Sequence, residues 1–364
     1  MKTATTIKEQ IDKLRERGMS IGDEIRASEI LLDIGYYRLG FYWFPMETLY
    51  PIKDKRNHVF KPGASFDKSV RLYEFDKKLR NILSFYLHDI EVNLRTKVIY
   101  YISNRYKENP IWFSDNQIVM QSFINSFAKK YENEIKNNDV IIRHHANHSE
   151  HKYAPAWKTL EYVSFGDLIR LIECLKNPEV RLSLYELYGF NEDKTFPNYI
   201  EVIRQIRNSC AHGHPLFDLK LFKSLRSGKF KTIFKGDQGD LWSSLKGVLL
   251  VIQYFLFYLP GNKGVQFSKD IKKLMNNLNN NIKGIISLAT KMRYDINIMY
   301  NKLDVMSRRL SKLNIHNTDI SKIRESFNNS SNYKRYQIYS IIKNTVLDLD
   351  TILTVIKNIK DNNN

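Results

Sequence analysis

A long apolar stripe constrains the fold of this chain more than any other sequence feature. Its members recur at steps of three and four residues, at Leu79, Ile82, Leu83, Tyr86, Ile90, Leu94 and Val98. That spacing matches the α-helical repeat, so these side chains share one face that must be buried. No segment of any length alternates between apolar and polar residues, which is the pattern typical of a half-buried strand. We therefore predict an all-α fold.

Helical spacing and helix-ending residues predict further elements. Helices are expected at 4–17, 25–44 with a break near Gly35, 115–136, 154–176, 178–188, 197–212, 216–226, 239–259, 265–285, 318–327 and 333–360, besides the long helix that ends by Pro110. Segments rich in Pro, Gly or polar residues are expected to be loops, namely 45–64, which can form a short hairpin, and 137–153. The sequence thus predicts about ten to twelve helices.

Positive charge is abundant and unevenly distributed. Lys and Arg number 57 against 39 Asp and Glu, which gives a net charge of +18. Residues 1–220 carry 33 − 29 = +4, whereas residues 221–364 carry 24 − 10 = +14. Such a field favours a polyanion such as RNA, bound through Lys and Arg of 221–364. Alternatively, the lysines only cover solvated helix faces. The charge shift predicts two parts, 1–220 and a basic helical part at 221–364.

Signals for membrane insertion and secretion are weak. The most apolar run covers residues 248–259, whereas a membrane span needs roughly 20 apolar residues, so we expect a buried helix there. The N-terminus lacks the apolar core of a signal peptide. Two cysteines, Cys174 and Cys210, cannot build a disulfide framework. We expect a cytoplasmic protein that does not bind membranes.

The end of the helix predicted at 197–212 carries the strongest candidate for chemistry. Arg204, Asn208 and His212 recur every four residues and share one face, with Arg207 beside them. Gly213 and Pro215 mark the end of the helix. A guanidinium binds phosphate oxygens with a bidentate fork, and an imidazole exchanges protons near neutral pH. The group therefore suits cleavage of a phosphodiester; alternatively, Asn208 and His212 only cap their own helix.

The long helix carries a polar stripe that can support this group. Ser84, His88, Glu91 and Arg95 follow one another at steps of four, three and four. Glu91 and Arg95 are spaced for an ion pair within the helix. Alternatively, the stripe faces the Arg207/His212 helix, and Glu91 or His88 orients the motif, as in sites built between facing helices of a bundle.

Four histidines, His144, His145, His148 and His151, lie in the predicted loop at 137–153. Imidazoles suit zinc, copper or nickel, but no cysteine accompanies them. We expect a solvated or RNA-contacting loop and assign no metal and no cofactor. Phosphate-binding glycine loops, Gly-x-Ser-x-Gly and His-Glu-x-x-His are absent from the sequence.

Several segments resemble a known family when they are taken together. Arg207-Asn208 with His212 resembles the signature of HEPN domains, helical bundles that include many metal-independent ribonucleases. The further matching segments resemble Abi-like abortive-infection proteins of the AbiD/AbiF type, and they are Leu31 to Leu39, Tyr73 to Arg80, Ile90 to Arg95, Pro155-Ala156-Trp157, Ser164 to Leu168 and Arg207 to Leu216. The resemblance covers roughly residues 5–220 and implies a HEPN-like helical bundle with additional N- and C-terminal helices.

The resemblance also implies an activity. A ribose 2′-hydroxyl would attack the adjacent phosphorus, with proton transfer by His212 and charge stabilisation by Arg207. Asn208 and Arg204 would orient these groups, supported by Glu91, Arg95 and His88. HEPN ribonucleases pair two motifs across a two-fold axis, so a homodimer is implied, unless His214 supplies the second imidazole.

Members of the AbiF type resemble toxin–RNA systems in which a structured noncoding RNA binds the protein. The resemblance therefore implies an anti-phage or toxin-like system that such an RNA controls. Nothing in the sequence indicates DNA specificity. The alternatives are an RNA-binding scaffold without cleavage activity and a helical protein-interaction module.

Overall fold

The structure is a computed structural model that describes residues 3–52, 54, 56–190, 194–219, 221, 224–226 and 245–276. Over these residues it contains twelve α-helices, three short 3₁₀ turns and isolated β-bridges, with no β-strand. The all-α prediction is confirmed for this part of the chain. The helices predicted at 318–327 and 333–360 lie outside the described residues.

The helices follow the chain in this order: α1 Ile7–Glu16, α2 Glu24–Ile34, α3 Tyr36–Trp43, α4 Phe66–Arg105, α5 Gln121–Asn133, α6 Asp139–Asn147, α7 Ala156–Thr159, α8 Phe165–Glu173, α9 Pro178–Glu186, α10 Thr195–Ala211, α11 Leu245–Leu256 and α12 Lys263–Asn276. The 3₁₀ turns are Phe44–Met46, Trp112–Ser114 and Ile135–Asn137.

The long helix α4 confirms the prediction from the apolar stripe. It has 40 residues, which corresponds to a length of about 60 Å. Leu79, Leu83, Ile90 and Val98 are fully buried, whereas Ile82 is half-buried. Burial of this face, rather than helix propensity alone, explains why so long a helix is stable.

The predicted break near Gly35 is also confirmed. Gly35 has φ 88° and lies between α2 and α3. A left-handed φ is accessible to glycine without the strain that a Cβ would impose. In the segment 45–64, the structure has one antiparallel bridge, Glu47 to Phe60, rather than a hairpin of two strands.

The chain folds into two compact units, each of which packs mainly within itself. Among the described residues, the first unit comprises 3–83, 209–219 and 268–276, and the second comprises the remaining ones. The core of the first unit includes Ile11, Leu14, Leu31 and Leu39, all fully or almost fully buried. The predicted division at residue 220 stays a prediction, since most of 221–364 lies outside the described residues.

Aromatic side chains fill the core of the second unit. Tyr188, Phe190 and Phe196 pack around Phe255 of α11, with ring centroids 5.2, 6.2 and 5.8 Å from it. Val248 and Phe255 are fully buried, which confirms the expectation of a buried helix within 248–259. None of the described helices combines the length and apolar character that a membrane crossing needs.

Two predicted boundaries are wrong because long-range contacts take over the backbone groups. The helix predicted at 154–176 is split into α7 and α8, because the carbonyls of Leu160 and Val163 accept hydrogen bonds from Arg95. Ser164 then caps a new helix by accepting from the amide of Asp167.

The helix predicted at 216–226 is not formed by the described residues of that segment. Near its end, the amide of Arg226 donates to Asn198 Oδ1 at 2.8 Å, and Asn198 Nδ2 donates to the carbonyl of Ser224 at 3.2 Å. These side-chain contacts replace the helical hydrogen bonds.

The prediction of a loop at 137–153 is wrong for the first half of that segment, which forms α6. Asn138 caps this helix by accepting from the amide of Val140 at 3.0 Å. Ile141 and His144 are its buried side chains. The polar composition of this segment did not predict a helix, because the buried face of α6 is narrow.

Candidate functional site

The helix α10 places Arg207 at the edge of a buried face. Ile200, Ile203 and Ile206 are fully or almost fully buried, as the helical spacing predicted. Arg207 follows Ile206 by one residue, so it leaves the buried face, and its side chain is 43% exposed. A guanidinium in this position can contact solvent and the protein at the same time.

Glu91 of α4 binds Arg207 and Arg95 together. Arg207 Nε donates to Glu91 Oε2 at 3.2 Å, and Arg95 Nη2 donates to Glu91 Oε1 at 3.0 Å. Arg95 Nη1 also donates to the carbonyls of Leu160 and Val163 at 2.6 and 2.9 Å. Both Glu91 and Arg95 are buried, with 9% and 7% of their surface exposed. The carboxylate that holds Arg207 is therefore itself held rigidly.

The local charge around Arg207 is positive. One carboxylate, Glu91, lies against two guanidinium groups, Arg95 and Arg207, which leaves a formal excess of one positive charge. Arg207 Nη1 donates to Asn208 Oδ1 at 3.3 Å. The Nη2 group of Arg207 makes no hydrogen bond to any of the described residues. This edge of the guanidinium can therefore bind an anion.

Arg204 and His88 lie differently from Glu91 and Arg95. Arg204 forms a bidentate ion pair with Glu201, with Nε to Oε2 at 2.7 Å and Nη2 to Oε1 at 2.5 Å. The hydrogen bonds that Arg204 donates to Glu201 raise the pKa of Arg204. His88 is exposed on α4. Of the two residues expected to orient the motif, Glu91 is thus the one that contacts Arg207.

His212 follows the last residue of α10, in the first unit. The amide of His214 donates to the carbonyl of Ser209 at 2.9 Å, and that of Gly213 donates to the carbonyl of Cys210 at 3.2 Å. These two bonds, with φ 68° at Gly213, form a Schellman cap. His212 is exposed, and its ring centroid lies 6.0 Å from that of His214.

Backbone hydrogen bonds therefore cap this end of α10. The alternative, in which Asn208 and His212 cap the helix with their side chains, is not what the structure has. The oxygen of Asn208 accepts from Arg207 instead. The imidazole of His212 is accessible at the surface, which proton exchange with a substrate requires.

A buried carboxylate fixes the segment that follows the Schellman cap. Asp76 of α4 is fully buried, and it accepts from the amides of Leu216 and Phe217 at 3.0 and 2.8 Å. Tyr42 donates to the same carboxylate at 2.9 Å, and Arg80 forms a close ion pair with it. Burial, followed by the charge of Asp76, raises the pKa of Tyr42.

Sequence reasoning missed this cluster. Asp76 and Arg80 are four residues apart on one helix, and this spacing within an apolar stripe was an available signal of a buried ion pair. The partners at Tyr42, Leu216 and Phe217 are distant in sequence, and no local pattern predicts them.

The histidines of α6 and the following turn lie in the second unit. His145 Nε2 lies 2.7 Å from the hydroxyl of Tyr131, whereas the rings of His144, His148 and His151 lie within 4.9 to 5.3 Å of one another. Burial lowers the pKa of His144, with a further contribution from the charge of Lys158. The Lys and Arg residues of 221–364 that were expected to bind RNA lie mostly outside the described residues.

The described residues thus define an all-helical protein with a half-exposed arginine, anchored by a buried carboxylate, near the end of a helix. A family model described as Abi-like protein matches residues 29–218, just over half of the chain. The chain belongs to the Abi-like family. This range includes Asp76, Glu91, Arg95, Arg207 and His212. Neither a curated protein nor a solved structure gave a significant match to the chain.

Proposed function

We propose that this protein is a metal-independent endoribonuclease that acts in abortive infection. Membership of the Abi-like family supports the role in abortive infection. The observation that supports the chemistry best is the half-exposed Arg207, which the buried carboxylate of Glu91 holds in place. An orientation fixed before substrate binds is what a charge-stabilising group needs in catalysis.

In the proposed reaction, a ribose 2′-hydroxyl attacks the adjacent phosphorus and the 5′-oxygen leaves. The products are a 2′,3′-cyclic phosphate and a 5′-hydroxyl. Arg207 would bind the non-bridging oxygens through its Nη2 edge, and His212 would transfer a proton. The argument for joint action of the two residues is their separation of five positions across one helix end. Asn208 would help to orient Arg207, because its Oδ1 accepts a hydrogen bond from Arg207 Nη1.

Glu91 and Arg95 are proposed as positioning residues. Two hydrogen bonds to backbone carbonyls fix the side chain of Arg95. Arg95 in turn donates to Glu91, and Glu91 accepts from Arg207. Arg204 forms an ion pair with Glu201. We therefore propose that Arg204 contributes to the shape and charge of the helix surface. His88 is proposed to contact the substrate rather than to orient the motif, because it is exposed on the helix that carries Glu91.

The reaction needs both an acid and a base, whereas one chain carries one such motif. We therefore propose a homodimer in which two motifs cooperate, with His214 as the alternative second imidazole. A mass measurement in solution at assay concentration checks this proposal. A monomeric mass, with cleavage that depends on His214, would support the alternative.

RNA is the proposed substrate and the proposed regulatory partner. The net charge of +18 supports a polyanionic partner, and control by a structured noncoding RNA is the form of regulation that we propose. Sequencing of RNA that co-purifies with the protein tests this part. One discrete small RNA is expected, and a random mixture of fragments would contradict it.

The nature of the product ends tests the reaction itself. Purified protein should cleave single-stranded RNA to leave cyclic phosphate and 5′-hydroxyl ends. Cleavage should persist in EDTA as long as circular dichroism shows that the fold is intact. Products with 5′-phosphate ends, or loss of cleavage in EDTA by a protein that is still folded, would contradict the proposal.

An RNA-binding scaffold without cleavage activity is the second candidate. Several large aromatic side chains are exposed, and Tyr37, Phe85, Tyr100 and Trp157 are 83%, 66%, 61% and 51% exposed. Exposed aromatic rings can stack on unpaired bases. This candidate predicts RNA binding that Arg207→Ala and His212→Ala leave intact, with no cleavage by the unaltered protein.

A further inference from the structure

Three imidazoles and one carboxylate converge where α6 ends. His144 lies in the last turn of α6, and His148, Glu150 and His151 belong to the turn that follows. The rings of His148 and His151 are nearly parallel, with an interplanar angle of 9° and centroids 5.0 Å apart. His144 lies 4.9 and 5.3 Å from them. Apolar packing does not explain why these three imidazoles cluster, because two of them, His148 and His151, are exposed.

The ligand atoms of three of these residues already lie close together. Glu150 Oε1 is 3.2 Å from His151 Nε2 and 3.8 Å from His148 Nδ1. One nitrogen or oxygen from each of the three residues lies within 4.8 Å of the others. Tetrahedral zinc with bonds near 2.0–2.2 Å requires ligand separations of about 3.3–3.5 Å. Small rotations of exposed side chains suffice to reach that geometry.

His144 supplies the hydrogen-bond acceptor that a metal-bound histidine commonly has at its other ring nitrogen. His151 Nδ1 lies 3.2 Å from His144 Nε2, so His151 can bind an ion through Nε2 and donate its other ring proton to His144. Metal-ligating histidines typically donate in this way to a neighbouring acceptor. His144 is itself 5% exposed, and its Nδ1 is buried without a hydrogen-bond partner among the described residues.

We propose that His148, Glu150 and His151 bind a divalent transition-metal ion of the zinc type, with His144 as the hydrogen-bond partner of His151. The fourth position of the ion is open to water. Two imidazoles and one carboxylate favour zinc, nickel or copper, whereas magnesium and calcium prefer oxygen ligands alone. His145 is excluded because it engages Tyr131.

The ion would fix the conformation of the turn at 148–151, and the contact between His151 and His144 would connect that turn to α6. This site is independent of the proposed ribonuclease chemistry, which uses no metal. The sequence alone assigns no metal here because its polar composition predicts a loop. Helix α6 changes that assessment, since it fixes His144 beside the turn that carries the other three residues.

Metal content and metal affinity of the untagged full-length protein test the proposal. Protein stripped with EDTA should bind one zinc ion per chain in a calorimetric titration, and cobalt should give visible absorption bands of a tetrahedral site. His148→Ala and His151→Ala should weaken zinc binding at least tenfold, and His144→Ala by about 10- to 100-fold. His145→Ala is the matched control, a histidine of the same helix, and should bind zinc as the unaltered protein does.

Absence of stoichiometric zinc binding, or equal losses in His145→Ala and His151→Ala, would overturn the proposal. The cobalt spectrum requires no variant, and the absence of tetrahedral bands would overturn the proposal even if a substituted protein fails to fold. RNA cleavage by His151→Ala gives the comparison with the proposed function. Cleavage that persists without zinc binding separates the metal site from the ribonuclease site.

Discussion

Glu91 connects two arginines through one buried carboxylate, and this arrangement predicts its sensitivity to substitution. Glu91→Ala leaves Arg95 buried beside Leu160 and Val163 without its counter-charge. Removal of one partner from a buried ion pair costs about 3–5 kcal/mol. Urea unfolding should therefore show a large loss of stability, together with loss of any RNA cleavage.

The matched control for this substitution is Glu132→Ala. Glu132 forms an ion pair with Lys136 four residues away, with both side chains about half exposed. Exposed helical pairs contribute little to stability because solvent screens their charges. Equal losses of unfolding free energy for Glu91→Ala and Glu132→Ala would show that the carboxylate of Glu91 is not essential to the fold.

At the residue scale, the sequence predicted part of this arrangement. The spacing of Glu91 and Arg95 predicted their ion pair, and the polar stripe predicted that Glu91 could contact the helix with Arg207. The carbonyl partners of Arg95 were not predictable, because Leu160 and Val163 lie more than sixty positions away in the chain. Backbone carbonyls carry no residue-type signal.

Asp76 joins three elements of the first unit, namely α3, α4 and the segment after the Schellman cap. Asp76→Asn would remove the negative charge and replace one carboxylate oxygen by an NH₂ group. The remaining oxygen would accept from Arg80, so the NH₂ group, which cannot accept, would face the amides of Leu216 and Phe217. Stability should fall by about 3–5 kcal/mol because Arg80 loses its buried counter-charge. Hydrogen exchange should accelerate at the amides of Leu216 and Phe217.

Asp67→Asn is the control, since Asp67 lies in the first turn of the same helix and its contact with Arg26 at 3.8 Å is half exposed. Unchanged exchange at Leu216 in Asp76→Asn would contradict the proposed tether.

At the element scale, prediction succeeded where an apolar stripe is long and failed where it is narrow. Helix α4 and helix α10 were found because their buried residues repeat over several turns. Helix α6 was missed because its buried side chains are only Ile141 and His144. The split between α7 and α8 was missed because it depends on a distant guanidinium rather than on Gly or Pro.

At the scale of the whole molecule, the charge distribution predicts where RNA binds. If six or more phosphates are contacted, affinity should fall by about a thousandfold between 50 and 200 mM salt. The double substitution Lys269→Gln with Lys273→Gln removes two exposed charges of the basic part. Each lost phosphate contact should reduce the slope of log affinity against log salt by about one.

Lys77→Gln with Lys78→Gln is the matched control, because these two exposed lysines lie within the nearly neutral part at 1–220. The control should leave the salt slope unchanged. An equal reduction by both double substitutions, or an affinity that does not depend on salt, would contradict binding through the basic part.

The proposed ribonuclease activity is tested by comparing RNA cleavage by the intact protein with cleavage by Arg207→Ala and His212→Ala. Removal of a charge-stabilising group typically lowers the rate by about 10²–10³, and removal of a proton-transfer group lowers it by about 10²–10⁴. Both substitutions should therefore lower the rate at least about a hundredfold. Both side chains are at least partly exposed, so folding and RNA binding should persist. Cys210→Ala, in the same motif, should cleave normally. Cleavage at the full rate by His212→Ala would contradict the role of His212 in proton transfer.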